Sequence, residues 1–332
     1  LAERKTVALV GSETLAGREI RDLVSQAGLD VALRLISTDK EESGTITRVG
    51  DEPTIVEHLT ADSFEDAAAI ILAGSHESSK AALDLIDDIP VIDLSGYAED
   101  LPNARLRAPV VEDGAEDDEP GIQVVAHPAA IALAMLVRRL HAGDPLRRVV
   151  AQVFVPASER GPEAVDELQR QTVALLSFQN LPKAVFDAQA AFTMLARYGE
   201  EAPLPLEETE LRIERHLATL LALPGDGEGA PMPSLCVVQA PVFHGYSISV
   251  WVEFESNPGV DTLEETLATG LIDVRGTGLE PPNNVGQAGQ GGISIGAIQA
   301  DRNEPEACWI WLVADNIRLQ AENALAVMAR IV

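Results

Sequence analysis

The chain has 332 residues, 46% apolar and 23% charged, with a formal net charge of −29. That length accommodates two domains, each with its own core, and the negative charge excludes nucleic acid and anionic membrane surfaces as expected partners, because both would repel it. The longest apolar stretches, such as 129–137 (AAIALAMLV), are too short to span a bilayer. No basic segment followed by an apolar one opens the sequence, so no secretory signal is read and a cytoplasmic location is expected. Two cysteines, Cys236 and Cys308, are too few for a disulfide framework or a thiolate metal site, and the histidines show no HxxxH or HxH spacing. No metal is expected.

The first third alternates strand and helix. Residues 6–10 (TVALV) form a continuous apolar run, as a strand buried on both faces requires. Leu15, Ile20, Leu23 and Val24 then recur at helical spacing, with Gly28 suited to the stop. A second strand at 31–37 completes a βαβ unit and therefore a parallel pair. Further strands are predicted at 69–73, 90–94 and 122–126, with a helix over 77–87. This pattern is that of a Rossmann-like, doubly wound sheet. The acidic run from Glu112 to Glu119 reads as an exposed loop.

After His127-Pro128 the character changes. An Ala-rich helix (129–141) leads into a β-rich run (147–157) and a helix over 162–177. A Pro- and Glu-rich loop is expected at 199–210, a helix over 210–222, and a Gly/Pro loop at 223–233. Strands follow at 235–242 and 246–255, a flexible loop at 281–292, strands near 293–299 and 308–314, and a last helix over 316–331. Both cysteines fall in strands and read as small core residues. The expected organisation is a dinucleotide-binding-like domain, 1–127 plus the C-terminal segment 316–332, and an α+β domain, 128–315.

Several stretches, in order over nearly the whole chain, resemble the aspartate-semialdehyde dehydrogenase family and its Usg-type paralogues. They are VIDLSG (91–96), AHPAAIALAM (126–135), AVDELQRQTVALL (164–176), QAAFTML (189–195), VVQAPVFHGYSISV (237–250) and WLVADNIR (311–318). The resemblance implies a nucleotide-binding domain to which the last helix returns, and a second domain with the catalytic groups and a homodimer interface. It also implies thiolate attack on an aldehyde, hydride transfer to NADP, and release of the acyl group by phosphate.

The family's nucleophile motif reads Asn-Pro-Asn-Cys at a helix start, where the helix N-terminus favours a thiolate and supplies oxyanion donors. Here the same place reads His127-Pro128-Ala129-Ala130, so Ala130 takes the cysteine position. Gln239 stands where the family's Arg-x-Pro-Val arginine grips the substrate, and Tyr246 where its Gly-His-Ser histidine acts as base. His244, two residues earlier, would share a strand face with Tyr246 and is a candidate displaced acid/base group. Ser158 matches the serine of the Ser-Gly-Ala-Gly turn, here SERG (158–161). Its expected role is a turn or an N-cap rather than a substitute nucleophile. Arg212 loosely aligns with a lysine that contacts substrate phosphate.

In the family's GxxGxxG loop, this chain keeps Gly11 and Gly17 but carries Thr14 at the middle glycine, followed by Leu15, and Glu13 adds charge where phosphate would sit. Without the resemblance, G-x₅-G reads equally as a plain strand–helix turn. Asp39 stands at the arginine that reads the 2′-phosphate, so any dinucleotide is expected to be NAD rather than NADP; a one-residue shift would place Lys40 there instead. Asn316 matches the nicotinamide-side asparagine, with Gln320 and Glu322 bulking the small positions that follow. Two readings result. One is a catalytically silent paralogue that binds or scaffolds. The other is an NAD-dependent oxidoreductase on a small aldehyde without a cysteine, using His244 or Tyr246 for proton transfer.

Overall fold

A computed structural model describes residues 4–38, 43–86, 88–112 and 121–332. The chain divides into two compact units, Leu1–Ala126 with Gln320–Val332, and His127–Leu319.

The first unit holds β1 (Lys5–Val10), α1 (Leu15–Ala27), β2 (Val31–Ser37), β3 (Ile46–Val49), β4 (Glu52–His58), β5 (Ala67–Leu72), α2 (His76–Leu83), β6 (Val91–Asp93), β7 (Ala104–Arg107) and β8 (Ile122–Val125). The sheet order is β3-β4-β2-β1-β5-β6-β8-β7. Every neighbouring pair is parallel except the β3–β4 hairpin. Alternation along β1 explains the doubly wound form. Val7 and Leu9 pack with Ile20, Leu23 and Val24 of α1 and with Ala321, Ala324 and Met328 of the C-terminal helix. Ala8 and Val10 face the other way, toward Phe64 and Ala82. The chain leaves β1 toward β2 on one side and returns to β5 on the other. That reversal is the switch point at which such sheets bind ligands.

The second unit holds α3 (Pro128–Gly143), β9 (Leu146–Val155), α4 (Pro162–Leu176), α5 (Leu206–Leu221), β10 (Ser234–Gln239), β11 (Tyr246–Phe254), α6 (Val260–Leu267), β12 (Ile272–Arg275), β13 (Ile293–Ala300) and β14 (Ala307–Ala314). The last helix, α7 (Asn316–Ile331), begins here. The six strands run β10-β9-β11-β14-β13-β12. The four central strands are antiparallel, and an edge strand pairs in parallel at each side. Strict alternation buries Val149, Ala151, Val153 and Val155 of β9. Helix α3 packs against β9, α5 against β10 and α6 against β13.

Several expectations shift. Helix α2 ends at Leu83, short of residue 87. Helix α5 starts at Leu206, inside the expected loop, because Pro205 suits a helix entry and Leu206 is buried. The β3–β4 hairpin escapes a pattern reading because Ile46 and Ile55 are exposed and Pro53 sits in the strand. Glu112, expected in an exposed loop, turns inward. Arg107 grips its carboxylate through Nε and Nη2 at 2.8–3.2 Å, and the Ala108 amide donates at 2.7 Å. Burial would raise its carboxyl, but Arg107, Ala108 and Arg330 outweigh that and hold it low. The rest of that acidic run, 113–120, lies outside the described residues.

Candidate functional site

The start of α3 is built from a histidine, a proline and two alanines. Pro128 takes the first helical position, where its missing N–H costs nothing. His127 caps the helix, its Nδ1 accepting from the Ala129 amide at 3.2 Å. That leaves Nε2 as the nitrogen carrying the proton, and it donates to Glu159 Oε1 at 2.8 Å. The His127 amide donates to His216 Nδ1 of α5 at 2.9 Å. Ala129 and Ala130 are wholly buried.

Glu159 lies in a single 3₁₀ turn after β9, and its other oxygen accepts from the Tyr246 hydroxyl at the start of β11. His127, Glu159 and Tyr246 thus form one buried chain of hydrogen bonds. Burial would raise the Glu159 carboxyl, but the His127 ring, the Tyr246 hydroxyl and the Arg212 guanidinium outweigh it and hold the group below its ordinary range. Burial and the Glu159 charge push the Tyr246 phenol well above its usual value, so it keeps its proton. A phenol so placed is a poor general base.

The other predicted residues of this unit are occupied elsewhere. Gln239 is fully buried, donating to the Val155 and Ala240 carbonyls at 3.0 and 2.9 Å and accepting from Tyr198 at 2.7 Å. Asn316 is tied to the Ser158 hydroxyl at 3.1 Å, and its Oδ1 accepts from the Gly245 amide at 3.0 Å. His244 precedes β11, and Gly245 between it and Tyr246 takes φ +83°. The period-two argument for a shared face therefore does not apply, and His244 Nδ1 is buried with no hydrogen-bond partner among the described residues. Cys236, expected in the core, is exposed, because β10 is an edge strand and this residue faces outward. Cys308 is buried; burial pushes its thiol up despite a contact to Asn257.

In the first unit, Gly11 takes φ +81° and a Cβ there would lie 2.5 Å from the Gly74 backbone, so only glycine fits. A Cβ on Gly17 would lie 2.2 Å from the Gly11 carbonyl, which explains the close approach of α1 to β1. Thr14 caps α1 by accepting from the Gly17 amide at 3.0 Å, and its hydroxyl bridges to the Gly11 and Ala73 carbonyls, both at 2.8 Å. Its side chain therefore ties the loop to the end of β5. Leu15 opens α1, half-buried. Glu13 does not project as an uncompensated charge: it pairs with Arg21 at 2.7 Å and Arg18 at 3.4 Å. Gln320 donates to the Leu94 carbonyl, past the end of β6, at 3.0 Å. Asp39 and Lys40 lie outside the described residues.

A family model for the semialdehyde dehydrogenase dimerisation domain matches residues 137–319, more than half of the chain. The chain belongs to the semialdehyde dehydrogenase family. It is 29% identical over 331 residues to a USG-1 protein homolog from Pseudomonas aeruginosa, covering 96% of this chain and 94% of that one. It is 25% identical over 330 residues to an aspartate-semialdehyde dehydrogenase from Rickettsia bellii, with the same coverage. The solved structure of a probable aspartate-semialdehyde dehydrogenase from P. aeruginosa is 27% identical, with a TM-score of 0.83 over 98% of each chain.

Within this semialdehyde dehydrogenase fold, the start of α3 and Tyr246 come together through Glu159. Gln239, Asn316 and Ser158 are instead absorbed in local hydrogen bonds. Glu159 is the residue that sequence reasoning passed over. Its signal was present, since it stands second in SERG, where the resembling turn has glycine. Among the described residues no group of three or more His, Cys, Asp or Glu is placed to hold a metal, and no helix is long and apolar enough to cross a membrane.

Proposed function

We infer that this semialdehyde dehydrogenase-family protein no longer runs the thioester reaction of the aspartate-semialdehyde dehydrogenases it resembles, and acts by binding or scaffolding as a homodimer. The observation that carries this reading is the site at the start of α3. A buried methyl, Ala130, stands where the resemblance expects the thiol, and a Glu159 carboxylate links that helix start to Tyr246. A methyl group forms neither hemithioacetal nor thioester. Cys308 is a buried thiol that holds its proton, and Tyr246 is a phenol that holds its own. In the dinucleotide-binding-like unit, Thr14 fills the position at which a glycine would let a pyrophosphate reach the backbone. Any dinucleotide taken there is NAD rather than NADP, by the sequence alignment that sets Asp39 at the position of the family's 2′-phosphate arginine.

The dimer reading rests on the matched dimerisation domain and on one sheet face. All three tryptophans of the chain, Trp251, Trp309 and Trp311, lie on β11 and β14. Trp309 and Val150 are 45% and 46% exposed there. Beside them is an open depression of about 490 Å³ that includes Pro281 and Ala297. A second copy would cover this face.

Thermal melting with NAD, NADP, aspartate semialdehyde and phosphate tests the silent reading, because a ligand of the folded state raises the melting temperature by mass action. No rise with semialdehyde or phosphate is expected, alone or with a dinucleotide. A saturable rise with semialdehyde plus dinucleotide would contradict it.

A further inference from the structure

The His127–Glu159–Tyr246 chain has the geometry of a bound carboxylate. Each oxygen of Glu159 takes one donor, Oε1 from His127 Nε2 at 2.8 Å and Oε2 from the Tyr246 hydroxyl. Arg212 supplies positive charge to the same group. The donors are 1% and 0% exposed, so no water shell serves them. They also stand independently of the carboxylate. The Ala129 amide fixes the His127 ring through Nδ1, the His127 backbone is bonded to His216, and Tyr246 is anchored in β11, paired with Ala314 of β14. Glu159 reaches them from a different element, the turn after β9.

We propose that His127 and Tyr246 form a carboxylate-binding site that the chain fills with its own Glu159, and that shortening Glu159 opens this site to a small free carboxylate. The ligand class follows from the donor set: a planar anion with two acceptor oxygens, each met by one donor, the His127 ring N–H and the Tyr246 O–H. The size follows from what is removed. Glu159→Ala deletes one methylene and the carboxylate. A free anion cannot approach the remaining methyl closer than about 3.5–4.0 Å, against a bonded distance of about 1.5 Å. The replacement must therefore be one carbon shorter, which is formate. Glu159→Gly frees one carbon more and admits acetate as well. This inference rests on the geometry of the donors and not on the missing thiol, so turnover bears on the proposed function alone and anion rescue on this site alone.

The test is thermal melting of the parent, Glu159→Ala, Glu159→Gly and Glu159→Gln in sodium formate, sodium acetate or chloride of matched ionic strength. The Ala and Gly variants are expected to melt lower than the parent, since two buried donors lose their acceptor. Formate is expected to raise both by about 2–4 °C at roughly tenfold its dissociation constant. Acetate is expected to raise the Gly variant and leave the Ala variant unmoved. The parent and Glu159→Gln, whose sites are filled, gain nothing beyond chloride. Folded Ala and Gly variants that ignore both carboxylates would overturn the proposal. So would equal responses in the parent and Glu159→Gln, or variants that melt with the parent in chloride. Should the Ala and Gly variants fail to fold in chloride while Glu159→Gln folds, refolding decides: recovery in formate but not chloride supports the site, and no recovery in formate overturns it.

Discussion

At the scale of single residues, the site is governed by who holds which proton. Glu159 has a folded-state pKa lowered from 4.5, so it contributes stability that is present above 4.5 and lost as pH falls through the lower folded value. Tyr246 is shifted the other way, well above 10.0, so its contribution is complete below 10.0 and lost as pH rises toward the folded value. Urea midpoints measured across pH should therefore fall at both ends, and Tyr246→Phe should flatten the alkaline fall and, by removing one of the donors that hold Glu159 low, lessen the acid one. An unchanged alkaline fall in that variant would sink the assignment. The same protonation states bear on repair of the site. Ala130→Cys alone should produce no phosphate-dependent oxidation of aspartate semialdehyde, because the group in the base position keeps its proton; turnover in that single variant would show that the phenol is no obstacle. Ala130 and Tyr246 were legible in the sequence as departures from a motif. The bond network was not, because Glu159 finds its partners 32 and 87 residues away.

At the scale of elements, the first βαβ unit was readable because its constraints are local. A strand buried on both faces must be apolar throughout, and the helix beside it shows its own spacing. Gly11 is the sharpest case, since β1 and β5 approach so closely there that a methyl group meets backbone. Gly11→Ala should destabilise the chain by roughly 1–3 kcal/mol, read as a lower urea midpoint with unchanged m-value. A midpoint equal to the parent's would mean that the turn relaxes freely. Thr14 shows the limit of motif reading. The sequence marks it as the wrong residue for a pyrophosphate loop, and only the fold shows what the hydroxyl does, which is to bridge Gly11 to Ala73. The hairpin of β3 and β4 was hidden because Ile46 and Ile55 are exposed and Pro53 interrupts β4, so little of the hairpin carries a burial pattern.

At the scale of the whole molecule, the order of motifs along the chain indicated both the α/β class and the family, because a conserved succession of elements leaves its mark over hundreds of residues. Assembly was legible only through that resemblance. Trp251 is far in sequence from Trp309 and Trp311 and meets them on one sheet face through cross-strand pairing. A charge placed there should be costly if a second copy covers it. Trp309→Glu is expected to convert a dimer to a monomer by sedimentation velocity, and a parent that sediments as a monomer would remove the dimer reading. The central claim, that this chain no longer runs its relatives' reaction, is tested most directly by steady-state turnover. The measurement is formation of reduced cofactor from aspartate semialdehyde, phosphate and NAD or NADP. The account predicts no phosphate-dependent rate above the uncatalysed one. A kcat on the order of 1–10³ s⁻¹, ordinary for an enzyme, would contradict it.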